Sequence, residues 1–97
     1  MTNMKLLTNV SAIVESDNPE STILLKADNG SKTINTYLIL EDYPDFDTTQ
    51  SHKVYMDDKN KVLIKCSGDL LDPGIDLSIL MSNFVDFKPA YKYDEYV

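Results

Sequence analysis

One histidine, His52, and one cysteine, Cys66, set the limits on the catalytic chemistry open to this sequence. A histidine-dependent centre would have to use His52, which lies between Ser51 and Lys53 on the approach to a strand. No flanking glycine supplies the strained turn that lifts a nucleophile clear of a sheet, so His52 reads as an ordinary surface or edge residue. Cys66 closes the β-type run Val62-Leu63-Ile64-Lys65-Cys66, where a small packed thiol is expected. A single cysteine also rules out an internal disulfide. Structural zinc takes about four nitrogen or sulfur ligands, more than the chain holds. The glycines, at 30, 68 and 74, are too scattered to cradle a phosphate.

Carboxylates are the remaining resource: twelve Asp and four Glu against nine Lys and no Arg, for a net charge of −7. Asp45 and Asp47 have the Asp-x-Asp opening of a calcium loop. The sixth position of that loop is Gln50, where the sharp turn needs Gly, and the twelfth is Met56, where a bidentate Glu belongs. The EF-hand reading therefore fails, leaving only a looser divalent site on Asp42, Asp45 and Asp47 as a metal hypothesis. Acid pairs for glycoside hydrolysis are plentiful, but 11.0 kDa leaves little room for a sugar cleft. The expectation is a protein that is not an enzyme, with no cofactor and no metal.

The charge is segmental. Residues 41–58 carry Glu41, Asp42, Asp45, Asp47, Asp57 and Asp58 against Lys53, a net of −5. Residues 59–65 carry Lys59, Lys61 and Lys65, and residues 66–87 carry four acids and no base. Two function classes follow. In the first, the acidic segment binds a protein partner with a basic surface. Glu41, Asp42, Asp45, Asp47, Asp57 and Asp58 supply charge, and Tyr43 and Phe46 act as aromatic anchors of the kind enriched at interfaces. An acidic surface of this kind could imitate nucleic acid and inhibit a nucleic-acid-binding partner, since duplex DNA presents one charge per about 1.7 Å of axis. On an extended chain Asp45 and Asp47 would lie about 6.5–7 Å apart on one side.

In the second class, a small β-barrel binds single-stranded nucleic acid through stacking aromatics and lysines, here Phe87, Lys88, Tyr91, Lys92 and Tyr93. A sequence pI near 4.4 and the absence of arginine weigh against that direct binding, because nucleic-acid binders normally show a basic footprint. A subunit of a viral or other assembly, self-associating through a sheet edge, is a third reading. The plainest account of the acids is solubility and edge protection. In composition the chain resembles small acidic phage proteins that inhibit host nucleic-acid enzymes. Lysine at every basic position, with seven Asn and six Tyr, points the same way, towards AT-rich coding in a low-GC bacterium, its phages or mobile elements.

The elements that must position these residues are mostly strands. Leu6, Val10, Ala12 and Val14 alternate onto one face, with Thr8 interrupting. Residues 21–27 and 32–40 flank Asp28-Asn29-Gly30-Ser31, and Asn-Gly suits a two-residue turn with positive φ at both positions. That turn sets Leu25 opposite Ile34 and Ile23 opposite Thr36, so Ile23, Leu25, Ile34, Leu38 and Leu40 share a face. Residues 41–51 read as a polar surface loop. A second hairpin is expected from Lys53–Met56 and Lys61–Cys66 around Asp57-Asp58-Lys59-Asn60, in a register the turn chemistry leaves open.

Residues 75–84 fit either a strand or a short helix. Asp72 as cap and Pro73 at the first position favour the helix, with Leu77, Leu80, Met81 and Phe84 as its stripe. The expected fold is mainly β (β or α+β): a small antiparallel sheet or partly open barrel of about five or six strands with at most one short helix. It forms a single domain over 1–97, with 91–97 as a tail that frays. No apolar run approaches the roughly 18 residues of a membrane span. The first residues lack a basic n-region and an apolar h-region, so no secretory signal is expected and the cytoplasm is the expected compartment, that of the host if the protein is phage-encoded.

Overall fold

The computed structural model describes residues 3–15, 18–28, 32–66, 68–84 and 90–95, with the side chains of residues 3, 91 and 93–95 left aside. The strands are β1 (Asn3–Val14), β2 (Glu20–Ala27), β3 (Thr33–Ile39), β4 (His52–Met56), β5 (Val62–Cys66), β6 (Asp69–Leu71) and β7 (Tyr91–Glu95). A 3-10 turn (Leu40–Asp42) follows β3, and one helix, α1 (Leu77–Asn83), follows β6. The sheet order is β3-β2-β1-β4-β5-β6, antiparallel throughout, and β7 pairs with the first half of β1. The result is a curled half-barrel with one short helix, the mainly β architecture that the alternating sequence pattern predicts.

The β2–β3 hairpin has the register that an Asn-Gly turn requires: Leu25 faces Ile34 and Ile23 faces Thr36. Its turn residues, 29–31, lie outside the described residues. Ile23, Leu25, Ile34, Leu38 and Leu40 all enter the main core. The second hairpin pairs Val54 with Ile64 and Met56 with Val62. Asn60 donates its N–H to the Asp57 carbonyl at 3.1 Å and takes φ 62°, the left-handed conformation that ends a three-residue hairpin loop. Asn is among the few non-glycine residues that visit this region routinely.

β1 does not present one face as the alternation suggested. Leu6 pairs with Tyr55, yet Ser11 pairs with Lys53, so residues 7–10 of β1 stand against Val54 alone. This bulge reverses the alternation: Leu7, Val10, Ala12 and Val14 face the main core, while Leu6 joins Met4, Tyr55, Leu63 and Leu70 on the other face. The corner is held by hydrogen bonds. Thr8 donates its N–H to the Ala90 carbonyl at 3.0 Å, Asn9 Oδ1 accepts from Ala90 N–H at 3.2 Å, and the Asn9 carbonyl accepts from Asp28 N–H at 2.9 Å. Here β1 exchanges β7 for β2 as its neighbour. Residues 91–95, at the head of the stretch expected to fray, are β7 itself.

The helix forms, but four residues later than a cap at Asp72 implies. Asp72 accepts instead from Gly74 N–H at 2.9 Å, closing a turn in which Gly74 has φ 77°. Residues 75–77 then pair with the start of β5, where Val62 N–H meets the Ile75 carbonyl at 2.8 Å and Leu77 N–H meets the Asn60 carbonyl at 2.9 Å. Asp76 is the true cap, accepting from Ile79 N–H at 3.1 Å and the Ser78 hydroxyl at 2.6 Å. Leu80 and Phe84 are buried, Leu77 is half-buried, and Met81 points outward. The segment bridges the two ends of the sheet: α1 packs on β3, and the Thr36 hydroxyl donates to the Pro73 carbonyl at 3.0 Å. Among the described residues no helix is long and apolar enough to cross a membrane.

Candidate functional site

The loop from Leu40 to Ser51 leaves the end of β3 and is tied to the fold by its apolar residues. Leu40 is buried and its N–H bonds the Pro19 carbonyl. Tyr43 N–H closes the 3-10 turn on the Leu40 carbonyl at 2.8 Å, and Phe46 N–H bonds the Tyr43 carbonyl at 3.1 Å. Phe46 is only 7% exposed, so it anchors the loop in the core and does not offer itself to a partner. Tyr43 is half-buried against the same core. The chain turns at Pro44-Asp45, so the extended-strand spacing expected for Asp45 and Asp47 does not apply.

Glu41, Asp42, Asp45 and Asp47 project from this anchored loop into solvent. Burial of Leu40 and Phe46 on one side of a short loop leaves its acids no other direction. Asp47 Oδ1 accepts from the Thr49 N–H at 2.8 Å and the Thr49 hydroxyl at 2.6 Å. Those two bonds, with a smaller contribution from the His52 charge, hold the Asp47 carboxyl below the usual carboxylate range. His52 is half-buried, its ring centroid 4.1 Å from that of Phe46, and its Nε2 lies 2.6 Å from the Asp47 carbonyl oxygen. A carbonyl only accepts, so Nε2 carries the proton in this arrangement. The histidine braces the loop.

Glu20 belongs with these acids. It is exposed and pairs across the hairpin with Ile39, next to Leu40 and Glu41. Extending the Asn-Gly register along the hairpin reaches the same pairing; a charge count along the chain does not see it. Among the described residues none of Glu20, Glu41, Asp42, Asp45 and Asp47 forms an ion pair. A shallow depression of about 300 Å³ lies at the base of the loop, lined by Pro19, Leu40, Glu41, Tyr43, Pro44, Phe46 and Thr48, so that Glu41 alone of these acids borders it.

Asp57 and Asp58 are not part of this group. They sit beyond the far end of β4, and five residues of strand put them about 17 Å from the loop, twice the screening length of about 8 Å at physiological salt. Asp57 Oδ1 is occupied with the turn, accepting from Lys59 N–H and Lys61 N–H at 2.9 Å each. The neighbouring Lys61 ammonium pairs with Asp72 at 2.8 Å, which raises the lysine pKa and lowers that of the aspartate. The −5 segment thus divides into a concentrated acidic loop and a turn whose two acids stand beside lysines.

Of the alternative set, Phe87 and Lys88 lie outside the described residues. Tyr91, Lys92 and Tyr93 lie on β7, opposite Leu7, Leu6 and Lys5, and Lys92 is exposed. Cys66 is buried in the main core. Among the described residues no three His, Cys, Asp or Glu side chains converge as metal ligands, and Asp42, Asp45 and Asp47 do not form such a group. No family model, curated protein or solved structure matches this chain.

Proposed function

We propose that the protein is a non-enzymatic interaction protein whose acidic end docks on the basic surface of a nucleic-acid-binding partner and keeps nucleic acid off it. One observation supports this reading: the short loop anchored by Leu40, Tyr43 and Phe46 carries the exposed carboxylates Glu41, Asp42, Asp45 and Asp47, Glu20 pairs with Ile39 at its base, and among the described residues none of the five forms an ion pair with a lysine. Acids that served only as edge protection would be expected to spread along strand edges. Here the loop is braced by Phe46, by His52 and by the Asp47–Thr49 bonds, so its charges are presented with little ordering left to do on binding. Interfacial charge of this kind acts mainly on the rate of encounter and on partner choice.

The test is capture of a nucleic-acid-binding protein from the native host, followed by competition with duplex DNA. Replacing Asp42, Asp45 and Asp47 together by Asn should weaken capture and flatten its salt dependence, and added DNA should release the partner. Capture that ignores both the substitutions and the DNA refutes the reading. Binding of a labelled oligonucleotide by the protein itself, lost when Tyr91 and Tyr93 become Ala, would transfer the function to β7.

A further inference from the structure

β3 stands at the end of the sheet order, and among the described residues no strand pairs with its outer edge. Soluble proteins usually guard such an edge with charge, proline, a bulge or shortness. The other exposed termini of this sheet follow that rule. β6 is three residues long and carries Asp69, and β7 carries the exposed Lys92. β3 has no such guard in its own sequence, which runs Thr-Ile-Asn-Thr-Tyr-Leu-Ile, seven residues without charge, proline or glycine, although α1 packs on it. On its outward face Tyr37 is 70% and Ile39 49% exposed, alongside exposed Thr33 and Asn35. Half-buried Leu24 and Ile13, themselves a cross-strand pair, continue that face across β2 and β1. The contact that β3 makes with Pro73 comes from Thr36, on its inner face.

Charge at the two ends of β3 says what would pair there. Lys32 precedes the strand, while Glu41 and Asp42 follow it in the 3-10 turn, and all three are exposed without an ion pair among the described residues. An antiparallel partner of the same sequence brings Lys32 of one copy to the Glu41–Asp42 end of the other, and the two-fold repeats the match at the opposite end. We propose that a second copy of this chain adds to β3 edge to edge, in an isologous dimer whose sheet runs β2-β3-β3-β2. A two-fold pairing closes on itself and does not propagate into filaments. The pairing spans about 23 Å of strand, one strand pair without a second layer of contact, so the dimer is reversible and concentration-dependent. The proposal shares Glu41 and Asp42 with the acidic-end reading, and the two are told apart because replacing Asp45 and Asp47 by Asn leaves Lys32, Glu41, Asp42 and β3 intact, while Lys32→Glu leaves every carboxylate of the acidic end in place.

Sedimentation velocity over a wide concentration range tests it. Wild type should pass from monomer to dimer and go no further. Tyr37→Lys adds an edge lysine on an exposed side chain and should weaken the dimer. Lys32→Glu alone, or Glu41→Lys with Asp42→Lys alone, turns attraction into repulsion at both ends and should weaken it roughly tenfold. Mixing those two variants restores opposite charges at both ends and should restore a mixed dimer. Circular dichroism checks that each variant is folded. Monomer at every concentration, open-ended assembly, or a dimer indifferent to Tyr37→Lys and to the charge mixing overturns the proposal.

Discussion

Replacing Phe84 by Ala tests whether α1 completes the core of the half-barrel. Phe84 ends the helix at 1% exposure, beside Leu80 at 0%, in the segment that bridges the β3 and β6 ends of the sheet. Removing a fully buried phenyl ring costs about 3–5 kcal/mol, from lost burial and the cavity left behind. A domain of this size holds only about 5–15 kcal/mol in total. The expected loss is therefore a large share of the stability, and at roughly 4–8 °C per kcal/mol it lowers the melting temperature by about 12 to 40 °C. Met81 lies on the same helix but is 45% exposed, so Met81→Ala should stay within about 0.5 kcal/mol. Urea unfolding followed by circular dichroism gives both numbers. Equal, small effects at the two positions would refute the packing argument, because the helix would then lie on the sheet without filling its interior.

Two further outcomes follow from local geometry. Asn60 has φ 62°, so Asn60→Val forces a β-branched residue into the left-handed region and should cost roughly 1–2 kcal/mol, whereas Asn60→Gly should be tolerated; urea midpoints of the two variants separate the cases. The folded pKa values of Asp47, Asp72 and Asp76 lie below the ordinary 3.8, through bonds from Thr49, from Lys61 and Gly74, and from Ser78 and Ile79 respectively. Their stabilisation is present above that value and is lost as pH falls through the lowered ones, so urea midpoints should hold towards neutral pH and drop below about 4. Asp72→Asn combined with Asp76→Asn should flatten that drop, and an unchanged acid profile would show that these bonds do not carry it.

Local signals in the chain are sufficient for the β2–β3 hairpin. A two-residue turn and an alternating apolar face point to one register, and the pairing of Leu25 with Ile34 needs nothing further. The same register, followed to its end, puts Glu20 beside the acidic loop. The helix at 77–83 is legible as a stripe but misplaced at its start. Two Asp residues four apart both suit a cap, and the choice between them depends on residues 75–77 pairing with β5.

Composition and pattern alone determine that this is a small, mainly β chain with its negative charge concentrated in segments. Only the tertiary structure decides which acids lie near one another. β4 carries Asp57 and Asp58 about 17 Å from the 41–47 loop, beyond the reach of screened charge, and the hairpin brings Glu20 in. It also decides that Phe46 is an internal anchor and that Leu6 and Leu7 part to opposite faces. Sequence spacing reports distance along one strand. Bulges, strand order and burial are relations between strands, and those relations select the surface the protein presents.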